Sequence, residues 1–134
     1  MNERFIESRK IIANAREALK RGDMSQARQL AERAAELAPQ SEDPWLILAA
    51  VVSPRESVNY IRKALEVNPG SSVLWNDLGV VRMRRRDFAG SVEALRKALS
   101  LEKPPDAARA NLERAEQLLA LDRAEDLAEP FVFD

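Results

Sequence analysis

Residues 64–69 read Ala64-Leu65-Glu66-Val67-Asn68-Pro69, and Trp75-Asn76-Asp77-Leu78-Gly79 follows shortly after. The same pair of phrases stands upstream, as Ala34-Ala35-Glu36-Leu37-Ala38-Pro39 and then Trp45-Leu46-Ile47-Leu48-Ala49. Downstream, Ala98-Leu99-Ser100-Leu101-Glu102-Lys103-Pro104 repeats the first phrase with its proline one position late. Ile11-Ile12-Ala13-Asn14-Ala15 is a weaker form of the second phrase. Each proline-ended phrase closes a run with Ala and Leu at i, i+3 and i+4, the spacing of one helix face. Self-similarity at a fixed period of this size signals stacked repeats.

Turn signals divide each repeat in two. Gly22-Asp23 separates two helical runs: glycine suits the left-handed residue that ends a helix, and Asp suits the N-cap of the next. In the second repeat the link is Ser53-Pro54-Arg55-Glu56. Ser53 fits the N-cap, Pro54 the first helical position, and Glu56 completes a capping box. In the third, Arg86-Asp87-Phe88 replaces the glycine turn, with Asp87 as the cap. Each unit therefore reads helix, tight turn, helix. The units span 8–41, 42–71 and 72–105. The middle one is four residues shorter, and alignment puts the gap at the end of its first helix. A one-turn deletion there keeps the helical phase and shortens the wall of any groove at that point.

These residues resemble the tetratricopeptide repeat (TPR) family, whose unit carries a Trp, a following Leu-Gly, an aromatic opening the second helix, and later Ala and Pro positions. Trp75, Leu78, Gly79, Phe88, Leu95 and Ala98 carry the likeness in the third unit, with Ser91 where the family usually has Ala. Ala15, Gly22, Ala27, Ala34 and Pro39 carry it in the first, where Ile11 replaces the Trp. Trp45, Leu48, Ala49, Ala64 and Pro69 carry it in the second. The resemblance implies an all-α, right-handed TPR-like α-solenoid of antiparallel helix pairs over residues 1–121. No unit buries its face alone, so three are near the minimum for stability. After Pro104-Pro105, Asp106 caps a closing helix expected over about 106–121, and residues 2–7 extend the first helix. Residues 122–134 hold five acids, one Arg and, near the end, Pro130, Phe131, Phe133 and Asp134. They read as an extended or disordered acidic tail.

Composition narrows the function. The 134 residues carry no Cys and no His. Thiol nucleophiles, disulfides, imidazole metal sites and Ser-His catalysis are excluded. Threonine is absent and glycine numbers four, which speaks against a phosphate-cradling loop. Acids beside Arg at helical spacing, such as Glu32 and Glu36 near Arg28 and Arg33, read as solvated surface pairs. No catalytic residue, metal site or cofactor is expected, and the chain reads as a non-enzyme. The formal net charge of −1 gives no bulk attraction to nucleic acid or an anionic membrane. Arg82, Arg84, Arg85 and Arg86 form the densest basic cluster. It suits the C-terminal end of a helix or an anionic partner, and lacks the interleaved aromatics that stack bases. Residues 1–5 show no apolar run behind a basic head, so no secretory signal is expected, and the longest apolar run, Trp45 to Val52, is far too short to span a bilayer. A cytoplasmic location is the expectation.

In TPR proteins the first helix of each unit lines a concave groove. The resemblance places Arg9, Ile12, Arg16, Leu19 and Lys20 there from unit one. Unit two supplies Asp43, Leu46 and Ala50, and unit three Val73, Asn76, Val80, Met83 and Arg84. Such a groove, apolar in its middle with basic residues around it, suits another protein's peptide segment with apolar anchors and acidic flanks. Ile12, Arg16 and Ile47 stand where chaperone-tail binders of the family would have Lys and two Asn, which disfavours a chaperone tail. The expected function is thus a scaffold or adaptor. The alternative is an assembly subunit that self-associates through its helices or tail, with Phe131, Phe133 and Asp134 as the tail's ligand groups.

Overall fold

The computed structural model describes residues 2–127. They form seven helices: α1 (Glu3–Lys20), α2 (Met24–Leu37), α3 (Glu42–Val51), α4 (Pro54–Val67), α5 (Ser72–Arg84), α6 (Phe88–Ser100) and α7 (Ala107–Leu127). Three pairs and a closing helix stack in chain order as an all-α TPR-like solenoid. No helix among the described residues is long and apolar enough to cross a membrane.

The sequence explains where each helix begins and ends. Asn2, Asp23, Ser53, Ser71 and Asp87 each cap a helix, their side chains accepting from the backbone N–H of Arg4, Gln26, Glu56, Leu74 and Gly90. Such caps contribute about 1 kcal/mol each. Gly22 takes φ +77° in the first turn, and Arg86 holds the matching place with φ 64°. Arg86 tolerates the left-handed backbone while its guanidinium lies over the Phe88 ring, 5.3 Å from the centroid. The two tryptophans perform one task twice: Trp45 Nε1–H donates to the Pro39 carbonyl at 3.1 Å, and Trp75 Nε1–H to that of Pro69 at 2.9 Å. Each indole thus fastens its helix to the proline that closes the preceding unit.

Packing proceeds in three steps along the stack. Ile11, Ile12 and Ala15 of α1 meet Ala31 and Ala34 of α2 and Ile47 and Leu48 of α3. Val58, Ile61, Ala64 and Leu65 of α4 meet Leu74 and Leu78 of α5 and Ala94 of α6. Val92 and Leu95 of α6 then meet Ala115 of α7. Gly79 allows the α5–α6 contact, since a Cβ there would lie 2.5 Å from Leu95 Cγ, and Leu95 is fully buried.

One difference from the sequence reading has a physical cause. The closing helix does not stop near residue 121 but runs to Leu127, so 122–127 is helical. Its acids are compatible with a helix, and no Pro or Gly interrupts the chain before Pro130. Phe131, Phe133 and Asp134 lie outside the described residues. The short first helix of unit two, by contrast, is as expected: α3 has 10 residues against 13 in α5.

Candidate functional site

The odd-numbered helices form the inner side of the stack. Cα atoms of α1 and α3 approach within 8 Å, as do those of α5 and α7, whereas α2, α4 and α6 never approach one another so closely. One step on the inner side is missing: no Cα of α3 lies within 8 Å of a Cα of α5. The cause is local. Ile47 and Leu48, the buried aliphatics of α3, both point into the first core, and α3 ends at Val51, where a full-length unit would continue for another turn. Only half-buried Trp45, Leu46 and Ala49 reach toward the second core.

A cleft of about 260 Å³ opens in that gap. Leu46, Ala49 and Ala50 form one wall, and Asp77, Val80, Val81 and Arg84 form the other. Ile61 of α4 lies at its floor and is 2% exposed. This volume is below the roughly 300 Å³ at which small-molecule sites begin. It suits one or two side chains of a peptide.

The cleft brings together four of the residues expected to line the groove: Leu46, Ala50, Val80 and Arg84. The others lie elsewhere. Ile12 is 3% exposed and belongs to the first core, because α3 leans on α1 and seats Ile47 beside it. Leu19 is half-buried against the same core. Asn76 is 8% exposed and its Oδ1 accepts from Asn111 Nδ2–H at 3.0 Å, so α7 covers it. Met83 packs on the third core with Leu112 and Leu119. Arg9 stands over Phe5, 5.9 Å from the ring centroid, at the far end of α1. Arg16 pairs with Asp43 at 3.4 Å, and Lys20 with Glu17 at 3.4 Å. Val73 is half exposed and lines no part of the cleft.

The arginine cluster divides in the same way. Arg82 donates to the Gly90 carbonyl at 3.1 Å and ties α5 to α6. Arg85 caps α5, and Arg86 holds the turn. Arg84 alone of the four lines the cleft, and among the described residues it enters no ion pair.

Asp77, Ala49, Val81 and Ile61 also line the cleft, though their positions in the repeat do not mark them as groove residues. Burial among apolar neighbours raises the Asp77 carboxyl above the ordinary Asp value, because the charged form loses hydration there. The signal was the four-residue gap itself. It ends α3 at Val51 and so leaves the inner side open beside α5.

No family model matches the chain, and no curated protein matches it. Solved structures do. The TPR domain of Sgt2 from Aspergillus fumigatus is 27% identical, with a TM-score of 0.78 over 96% of this chain and 87% of that one. The first TPR of Spaghetti (RPAP3), solved with an HSP90 peptide bound, gives a TM-score of 0.78 at 14% identity, over 87% of this chain and 98% of that one. An O-GlcNAc transferase of Thermobaculum terrenum gives 0.74 at 21% identity, over 97% of this chain and 28% of the transferase. The fold by itself therefore does not exclude membership in an enzyme. Helix order, paired tryptophan ties and these likenesses agree on one conclusion: the chain has the tetratricopeptide-repeat fold, in three units with a closing helix.

Proposed function

We propose that this chain is a non-enzymatic protein–protein interaction module, a scaffold or adaptor, that binds a peptide segment of another protein in the cleft between α3 and α5. The observation that carries this reading is the cleft: an apolar floor and mostly apolar walls with Asp77 and Arg84 among them, on the inner side beside the shortened α3. An apolar anchor of the peptide fills it, and an acidic flank meets Arg84. The peptide bound to the Spaghetti TPR supports peptide binding as a use of this fold. A chaperone tail is a poor ligand here, because Ile12 and Ile47 stand where the family's carboxylate grip would have polar groups, and both are buried.

The test is selection of a phage-displayed dodecapeptide library on the full chain. Enriched peptides should lose binding to Ala50→Arg, which fills the mouth of the cleft from an exposed position. They should also lose it when four residues inserted after Val51 restore the missing turn. Failure to enrich any peptide, or equal binding to both variants, overturns the reading.

A second reading rests on a different observation. Of the six large apolar residues that are exposed among the described residues, Phe5 and Ile6 lie on α1, Met24 on α2, and Leu121 and Leu127 on α7. Apolar groups at both ends of a stack suit association with copies of itself or a larger complex. Sedimentation over a hundredfold range of concentration checks it. A constant monomer mass, unchanged in Phe5→Ser with Leu121→Ser, removes self-association.

A further inference from the structure

Asp77 is an anomaly within the cleft. Apart from Arg84, the residues that line the cleft with it are apolar: Leu46, Ala49, Ala50, Ile61, Val80 and Val81. A carboxylate drawn out of water among such groups costs free energy unless a cation accompanies it. Among the described residues Asp77 enters no ion pair. Arg84, the cation of the same cleft, is seven residues further along α5, or about 10 Å along the axis. The two side chains form no ion pair with each other. The cleft therefore carries a negative and a positive group about two helical turns apart on α5, among apolar residues.

We propose that Asp77 receives a Lys or Arg of the bound peptide, next to the apolar anchor that fills the cleft, while Arg84 takes a carboxylate on the anchor's other side. The inference rests on the peptide-binding reading and gives it a charge order. It also disfavours the chain's own terminus as occupant, since residues 128–134, beyond α7, contain two acids and no Lys or Arg. Such a segment sets like charges against Asp77 and leaves its carboxyl uncompensated.

The test uses the dodecapeptide selection on the full chain and on Asp77→Asn and Asp77→Lys. Peptides enriched on the wild type should carry Lys or Arg within two positions of an apolar residue. Selection on Asp77→Lys should replace that cation by Asp or Glu. The best wild-type peptide, made synthetically, should bind Asp77→Asn about tenfold more weakly, and Asp126→Asn, an exposed acid at the far end of α7, as tightly as the wild type. Circular dichroism confirms folding, and the near-isosteric Asn variant carries the test should the Lys variant unfold. Peptides that bind wild type and Asp77→Asn equally, yet are lost on Ala50→Arg, sink the role of Asp77 and leave the cleft standing. Peptides indifferent to both substitutions, or no enrichment at all, sink both proposals.

Discussion

The inner side of this solenoid is closed between α1 and α3 and open between α3 and α5, though one helix takes part in both junctions. At the closed junction α3 supplies buried Ile47 and Leu48. At the open one it supplies half-buried Leu46 and Ala49, and the apolar area left uncovered becomes the cleft. A short helix with two flanks saturates one of them first. The difference teaches that stability and recognition divide between the two faces of α3, and substitutions should separate them.

The largest effect is expected at the closed junction. Leu48 is 2% exposed, so Leu48→Ala should lower the unfolding free energy by about 2–5 kcal/mol, through lost burial and the cavity left behind. Leu46→Ala, one side of the helix away, should cost less than about 1.5 kcal/mol yet weaken any peptide that fills the cleft. Urea unfolding of the two variants measures the contrast. Equal losses would mean that the open junction is as well packed as the closed one.

A smaller effect distinguishes the shortened unit from the third. Ser57 Oγ donates to the Ala49 carbonyl at 2.5 Å, and Ser91 Oγ to the Gly79 carbonyl at 2.6 Å. The two ties are equivalent, but they bridge eight residues in one unit and twelve in the other. Because α3 ends at Val51, Ala49 is among the last carbonyls of its helix, which lack an intrahelical donor. Gly79 lies four residues before Met83, inside α5, and keeps its helical bond. Ser57→Ala should therefore cost about 1–2 kcal/mol and Ser91→Ala about 0.5 kcal/mol. Thermal unfolding of the pair ranks them, and the reverse order would contradict the account of the shortened helix end.

What the sequence made legible follows from where its signals are local. The repeat period, the caps at Asp23, Ser53 and Asp87, and the short α3 all depend on neighbours in the chain, and they came through. The site depended on distant packing. Ile12 reads as a groove residue by its position in the unit, yet the docking of α3 on α1 buries it. Asn76 reads the same way, and Asn111 of α7 covers it. Asp122–Leu127 read as tail on their acids and the Pro130 beyond them, while helix propensity and the lack of a breaker before Pro130 carried α7 through Leu127. Asp77 lies beside the expected groove positions, and it lines the cleft because α3 and α5 do not close on one another.

Asp77 also gives the open junction a pH dependence. Its pKa is raised in the folded chain above 3.8, so the native state holds its proton to higher pH than the unfolded state does. Between those two pKa values folding takes up a proton, and this group's contribution to stability falls as pH rises through the window. Asp77→Asn removes that penalty. The variant should match the wild type in stability below the window and equal or exceed it at neutral pH. Unfolding curves at several pH values measure the gap. A gap that widens toward low pH would contradict the burial of this carboxyl.

The smallest effect belongs to the ion pair that spans the closed junction. Arg16 and Asp43 join α1 to α3 at 3.4 Å, but their side chains are 55% and 44% exposed. Exposed pairs of this kind contribute about 0.2–1 kcal/mol and are screened by salt. A double-mutant cycle of Arg16→Ala and Asp43→Ala should thus return a coupling below about 0.5 kcal/mol, vanishing in 1 M NaCl. The closed junction would then owe its closure to Ile12, Ile47 and Leu48, and the open one its openness to the lack of their counterparts. A coupling near 2 kcal/mol would reverse that view. Charge would then hold α3 against α1, and breaking the pair would free α3 to swing toward α5 and narrow the cleft.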